Sequence, residues 1–200
     1  MMRIEIGRLL RAGTAGFVVG CRVSQIEAPS FGALVRVPLD GDYQVYGLIH
    51  DIRVDDDGLV RQLVTAEGID PAVIADNRLN RNVPLEMSVL VVGYQQGGRI
   101  SHLLPPRPPL SLDVIYLCEP ESMRQFTAAG RFGYFRHILR AVDLPVGELL
   151  AAHIQQAAAA HAAAGNKEWL EQATQELITL LRDDYQTLMA VLGALGDLNH

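Results

Sequence analysis

Lysine is all but missing from this sequence. Of its 17 basic side chains only Lys167 is not an arginine, and no GxxxxGK[ST] run occurs anywhere in the 200 residues. Lys167 follows Gly165 and Asn166 and precedes Glu168, so it cannot be the lysine of a phosphate-cradling loop. Cysteine is nearly as scarce. Cys21 and Cys118 stand far apart, each in apolar company, which reads as two buried reduced thiols and fits a cytoplasmic setting. No uninterrupted apolar run approaches the roughly 18 residues of a membrane span, and Glu5 with its neighbouring arginines interrupts what would be the core of a signal peptide. The chain therefore reads as neither secreted nor membrane-spanning.

Catalytic signatures are missing as well. There is no GxSxG elbow, and Ser101 before His102 is not a nucleophile arrangement. His153 and His161 are eight apart and lack the i, i+4 spacing of a metal-binding helix. His50 and Asp51 would point to opposite faces of a strand. His102 and His137 show no partners in the sequence. Asp55, Asp56 and Asp57 lack the rest of a calcium loop and read as a solvated turn. The expectation is a non-enzyme with no catalytic residue, no cofactor and no metal.

What is present is an architecture. With 49% apolar residues the chain can bury a core, and a net charge of −6 argues against a broad surface for wrapping phosphates. Short runs rich in Val, Ile, Leu, Phe and Tyr fill residues 3–9, 16–23, 33–37 and 43–54, separated mostly by Gly, Pro, Asp or Ser, and predict strands. LDGD at 39–42 reads as a tight hairpin and DDDG at 55–58 as another turn. Asp70 and Pro71 predict the start of one short helix, as N-cap and first-turn proline. Residues 85–94 and 99–104 then form a hairpin around QQGG, and 112–118 form the last strand.

Between those last two strands lie Pro105, Pro106, Pro108 and Pro109. Proline cannot donate to a sheet ladder, so this stretch predicts a stiff extended crossing from one strand to the next. Its PxxP spacing would also suit a ligand of a proline-recognition module, but such ligands usually lie in disordered tails.

After residue 119 the period changes from two to between three and four. Val146 to Ala164 predicts a helix, almost pure alanine at its far end. Gly165 and Asn166 read as a left-handed stop and a fresh N-cap. Leu170, Ala173, Leu177, Leu180, Leu188, Val191 and Leu195 then predict one continuous amphipathic helix over 167–195, with Asp184 an awkward member of its stripe. The expected fold class is α+β: a closed N-terminal β-barrel of six or seven short strands over 1–119, a basic aromatic connector over 120–142, and a long antiparallel helical hairpin over 143–200.

The ordered blocks IEIGRLL (4–10), FVVG (17–20), FGALVRV (31–37), VYGLIHDI (45–52), VLVVGY (89–94) and PPRPPLSLDV (105–114), with Gly7, Gly32, Gly47 and Gly93 among them, resemble the HAS-barrel. That β-barrel is shared by the N-terminal regions of HerA-type DNA translocases and of rotary ATP synthases. The resemblance covers about residues 2–118. It implies a non-catalytic collar that assembles subunits into a ring and docks partners, while a following P-loop domain hydrolyses ATP. The motor is what this sequence lacks, so the resemblance carries the fold and the assembly role and not nucleotide binding.

Charge singles out one segment. Residues 120–142 hold four arginines against Glu121 alone, whereas 143–200 hold two cations against eight acids. In this basic island Arg124, Phe126, Arg131, Phe132, Tyr134, Phe135, Arg136 and Arg140 interleave cations with aromatics, a composition able to stack bases and bind phosphates. The competing reading has the aromatics buried and the arginines set against acids of the same chain, such as Glu168, Glu171, Glu176 or Asp183. The expected function is a non-enzymatic assembly or adaptor protein that docks onto itself, as a homo-oligomer, or onto a HerA-like ring ATPase. Nucleic-acid association through the Arg/aromatic connector is the alternative.

Overall fold

The structure, a computed structural model, describes residues 4–23, 29–54, 68, 70–72 and 83–197. Alternation of buried and exposed side chains builds seven strands among these: β1 (Glu5–Ala12), β2 (Gly16–Val23), β3 (Leu34–Leu39), β4 (Tyr43–Val54), β5 (Val83–Gln96), β6 (Arg99–Ser101) and β7 (Val114–Leu117). All pairings are antiparallel. β1 pairs with β2 and β7, β7 with β3, β3 with β4, β4 with β5, and β5 returns to β2. Six strands therefore close on themselves, and β6 adds to the distal end of β5. Closure removes the unpaired edges that an open sheet would expose. Register shifts at Tyr46/Gly47 and Ile49/Asp51 supply the bends in β4.

Two apolar cores follow from the period-two pattern. Ile6, Leu9, Phe17, Val19, Val35, Val37, Val45, Met87, Val89 and Ile115 fill the barrel. The alternate residues Leu34, Tyr46, Leu48 and Val92 face the other way and join a second core with the helices. Among the described residues, none of β1 or β2 belongs to that second core.

Turn chemistry falls where the sequence puts it. The β3–β4 and β5–β6 hairpins turn at Gly41 and at Gly97–Gly98. Residues 102–113 carry no strand and bring Arg107 over the ring of Tyr43, 5.2 Å from its centroid, with the Tyr43 hydroxyl donating to the Arg107 carbonyl at 2.9 Å. Pro105 and Pro109 are buried, so the crossing is held against the barrel. At Asp70, Oδ1 accepts the Ala72 N–H at 2.9 Å and Pro71 opens the helical turn, as the sequence predicts. The rest of that segment and the DDDG turn lie outside the described residues.

Five α-helices follow among the described residues: α1 (Pro120–Ala128), α2 (Phe135–Leu139), α3 (Val146–Ala163), α4 (Trp169–Leu180) and α5 (Tyr185–Asp197). None is long and apolar enough to cross a membrane. Helix α3 buries Leu150, Ile154, Ala157 and His161 along one stripe and packs against α1, α4 and α5. It ends in a Schellman turn: Gly165, at φ +89°, donates to the Ala162 carbonyl at 2.9 Å and Asn166 to the His161 carbonyl at 3.0 Å. Asn166 is thus the tail of that turn. The N-cap expected of it falls instead to Glu168, whose side chain makes no cap bond.

The single helix expected over 167–195 is two helices. The chain leaves the helical path between Leu181 and Asp184, and Asp184 restarts it. Asp184 Oδ1 accepts the Thr187 N–H at 3.1 Å, and the Thr187 hydroxyl donates to Oδ2 at 2.7 Å. The carboxylate that sat awkwardly on an apolar stripe is an N-cap.

Candidate interaction surface

The basic island folds as α1, a tight turn and α2. Pro120 lies at the start of α1, where its missing N–H costs nothing, and the helix ends as Ala129 turns extended. Gly130, Arg131 and Phe132 then all take positive φ, at 57°, 47° and 56°. Two non-glycine residues in succession in the left-handed region are a local strain that packing must offset.

Packing there is aromatic. Phe126, Tyr134 and Phe135 are fully buried. Phe126 lies 4.6 Å from the ring of Tyr46 in the barrel, 4.7 Å from His102 and 5.4 Å from Tyr134. Tyr134 meets Phe135 edge-on at 4.7 Å and His153 at 5.4 Å. Three of the four aromatics singled out in the sequence thus join barrel to helices and cannot stack on a base. Only Phe132 is half-exposed.

The four arginines separate. Arg124 is half-buried, pairs with Glu121 and donates to the Ala160 carbonyl at 3.4 Å. Arg131, Arg136 and Arg140 are exposed, Arg136 donating to the Gly133 carbonyl at 3.0 Å. Among the described residues none of these three has an acidic partner within 4.0 Å.

Arg131 and Phe132 line a cleft of about 570 Å³ whose remaining walls are Thr127, Ala128, Asn166, Trp169 and the α4 side chains Glu171, Gln172, Gln175 and Glu176. Trp169 stacks on His161 at 4.7 Å and 8° and lies 5.5 Å from Phe132. Its indole Nε1 is buried and has no hydrogen-bond partner among the described residues. Sequence reading connected Arg131 with Glu171 and Glu176 only as possible ion partners and missed Trp169 and the amides. Their one advance signal was the polar flank of α4.

The protein matches no family model and no curated protein.

A second feature lies on the barrel. Leu110 and Leu112, at the end of the proline crossing, are 71% and 70% exposed, and Leu10 beside them is 52% exposed. The corner is rigid: Leu112 N–H donates to the Leu9 carbonyl at 2.8 Å, Ser111 Oγ to the Leu10 carbonyl at 3.2 Å, and Leu110 N–H to Asp113 Oδ2 at 2.7 Å. Leu112 is held at φ +73°. No pattern in the sequence marked these leucines, because the strand-like alternation of LSLDV suggests burial.

The histidines find structural partners that the sequence did not show. His102 Nε2 lies 3.0 Å from the Phe126 carbonyl and His137 Nε2 lies 2.9 Å from the His102 carbonyl. His161 Nε2 lies 2.8 Å from the Thr127 hydroxyl. Burial pulls His50, His102, His153 and His161 below the usual imidazole range. His50, Arg11 and Ser88 line a cleft of about 320 Å³ beside the bulge in β4, while Asp51 pairs instead with Arg53 at 2.7 Å. Among the described residues no three His, Cys, Asp or Glu side chains gather as metal ligands would. Cys21 and Cys118 are free thiols, Cys118 buried and Cys21 half-buried.

Proposed function

We propose that the chain is a non-enzymatic assembly or adaptor protein, its barrel mediating oligomerisation or docking to a ring-forming P-loop ATPase of the HerA type. The observation that carries this reading is the rigid corner of exposed leucines, Leu110 and Leu112 at the end of the proline crossing and Leu10 on the neighbouring β1. Large leucine side chains exposed together on a fixed backbone lose little conformational entropy when covered, which suits a docking surface. The resemblance of residues 2–118 to a ring-assembling barrel supports the same role.

The test is co-expression with a HerA-type translocase from the same genome, followed by gel filtration with light scattering. The ATPase and the chain should co-elute, or the chain alone should run as an oligomer, and Leu110→Glu with Leu112→Glu should abolish either. A strict monomer that leaves the ATPase unbound overturns the reading.

The nucleic-acid reading keeps one favourable observation, the exposure of Arg131, Arg136 and Arg140 without acidic partners among the described residues. Phosphate contact by these would show as affinity for a short single strand that falls steeply with salt and is lost in Arg131→Ala, Arg136→Ala. Salt-independent or absent binding removes it.

A further inference from the structure

The cleft between the left-handed turn and α4 is built for more than solvent. Gln172, Gln175 and Glu176 stand three and four residues apart on α4 and so share a flank, with Glu171 one turn before Gln175. Glu171 and Glu176 have no ion partner among the described residues, and neither does Arg131 across the cleft. Two carboxylates against one guanidinium leave the walls net acidic. A phosphodiester would meet both carboxylates, whereas a cation would be drawn to them.

The amides of Asn166, Gln172 and Gln175 each offer a donor and an acceptor, the pair that a peptide group presents in return. From Trp169 to Glu176 the helix rises roughly 10 Å, the length of about three residues of extended chain. A volume of about 570 Å³ also lies within the usual range of preformed ligand sites.

We propose that this cleft receives an extended peptide segment of a partner protein, with a lysine or arginine of that segment seated between Glu171 and Glu176. This deepens the adaptor reading and rests on it: the barrel corner docks the partner's folded body, and the cleft reads a basic tail. The Asn166, Gln172 and Gln175 amides bind the segment's main chain, and Arg131 takes a carbonyl or a terminal carboxylate.

Trp169 is the only tryptophan in the chain and lines this cleft, so its fluorescence reports on that wall. The probes are pools of capped tripeptides with a fixed central Arg, Glu or Ala and mixed flanks, together with an oligothymidylate. The Arg pool should change the emission saturably, with half-saturation at or below about 1 mM. The Glu and Ala pools should not. Glu171→Gln with Glu176→Gln should weaken the Arg-pool response at least tenfold, and these exposed or half-buried substitutions leave the core intact.

No response, equal responses to the three pools, or an unchanged response in the double variant overturns the proposal. An oligothymidylate response that depends on Arg131 also overturns it, since the cleft would then serve nucleic acid. The Leu110→Glu, Leu112→Glu variant should keep the Arg-pool response. A parent chain that leaves the ATPase unbound yet gives the peptide response sinks the docking reading alone, and a parent chain that docks without a peptide response sinks only the cleft.

Discussion

The hydroxyl of Tyr134 lies 3.2 Å from Nε2 of His153, in a seam where neither side chain is exposed, and Nδ1 of the same imidazole lies 3.2 Å from the Gly32 carbonyl. A carbonyl can only accept. Nδ1 therefore carries a hydrogen; burial keeps the ring neutral, so Nε2 accepts from Tyr134, and the imidazole ties α3 at once to the barrel and to the turn before α2.

The first prediction is acid sensitivity of this seam. Desolvation pulls His153 from an ordinary value of 6.5 down to about 4, against the opposing bond to Gly32. Above about pH 6.5 the ring is neutral folded or unfolded. As pH falls from there towards 4, the unfolded chain takes up a proton that the folded one refuses, and stability drops by on the order of 3 kcal/mol. His102 and His161 are shifted in the same direction by burial and steepen the loss. Urea unfolding at about pH 7.5 and about pH 4.5 measures it. His153→Gln, which keeps a donor and an acceptor, should be weaker at neutral pH and flatter with pH. An equal pH slope in that variant would remove His153 from the explanation.

The second prediction separates strain from packing at the same seam. Gly32 sits at φ +79°, and a Cβ there would lie 2.8 Å from the Ala152 Cβ and 2.9 Å from the His153 nitrogen. Gly41 has a similar φ of +73° with nothing within 4 Å. Gly41→Ala should cost about 1–2 kcal/mol, the left-handed penalty alone. Gly32→Ala should cost clearly more, because α3 must also move away from the barrel. Chemical denaturation of the two variants side by side checks this, and equal losses would mean that the seam yields freely.

A third prediction concerns the helix break. Asp184→Ala removes the acceptor for both the Thr187 N–H and its hydroxyl, so α5 should lose protection in hydrogen exchange before α4 does. The hydroxyl and then the backbone N–H of Thr187 hold the Asp184 carboxyl below its ordinary 3.8, so this cap persists above that pH and fades as pH falls beneath it. Asp184→Asn should keep part of the protection, since an amide oxygen still accepts. Matched exchange rates in α5 of Asp184→Ala and the parent would show that the break is set elsewhere.

The barrel was legible in the sequence because its determinants are local: period-two alternation, the LDGD and QQGG turns, and prolines where no ladder hydrogen bond is needed. The helix break was not, because Leu180 and Leu188 continue the stripe on either side of Asp184, and an N-cap looks like an interloper until the backbone shows that the helix has stopped. The island was legible as chemistry and not as geometry. Cations interleaved with aromatics are compatible with a base-stacking surface or with a seam, and the difference is made by distant partners, Tyr46 from β4 and His153 from α3. The cleft was invisible for the same reason, since Arg131 meets α4 only after the chain has passed through α2 and α3.

The last prediction asks whether Leu112 is kept for the fold or for something the fold meets. Leucine at φ +73° carries a left-handed penalty of about 1–2 kcal/mol, and at 70% exposure it recovers little by burial. Glycine relieves the strain but returns roughly 0.5–1 kcal/mol of chain entropy to the unfolded state. Leu112→Gly should therefore be as stable as the parent or up to about 1.5 kcal/mol more so, by the same arithmetic. If the corner is the docking surface proposed above, the same variant should bind the ATPase more weakly despite its stability. Paired measurements, urea midpoint and co-elution with the ATPase, decide between the two. If Leu112→Gly is destabilised and binds normally, the leucine belongs to the fold, and the corner of Leu10, Leu110 and Leu112 is not a docking surface.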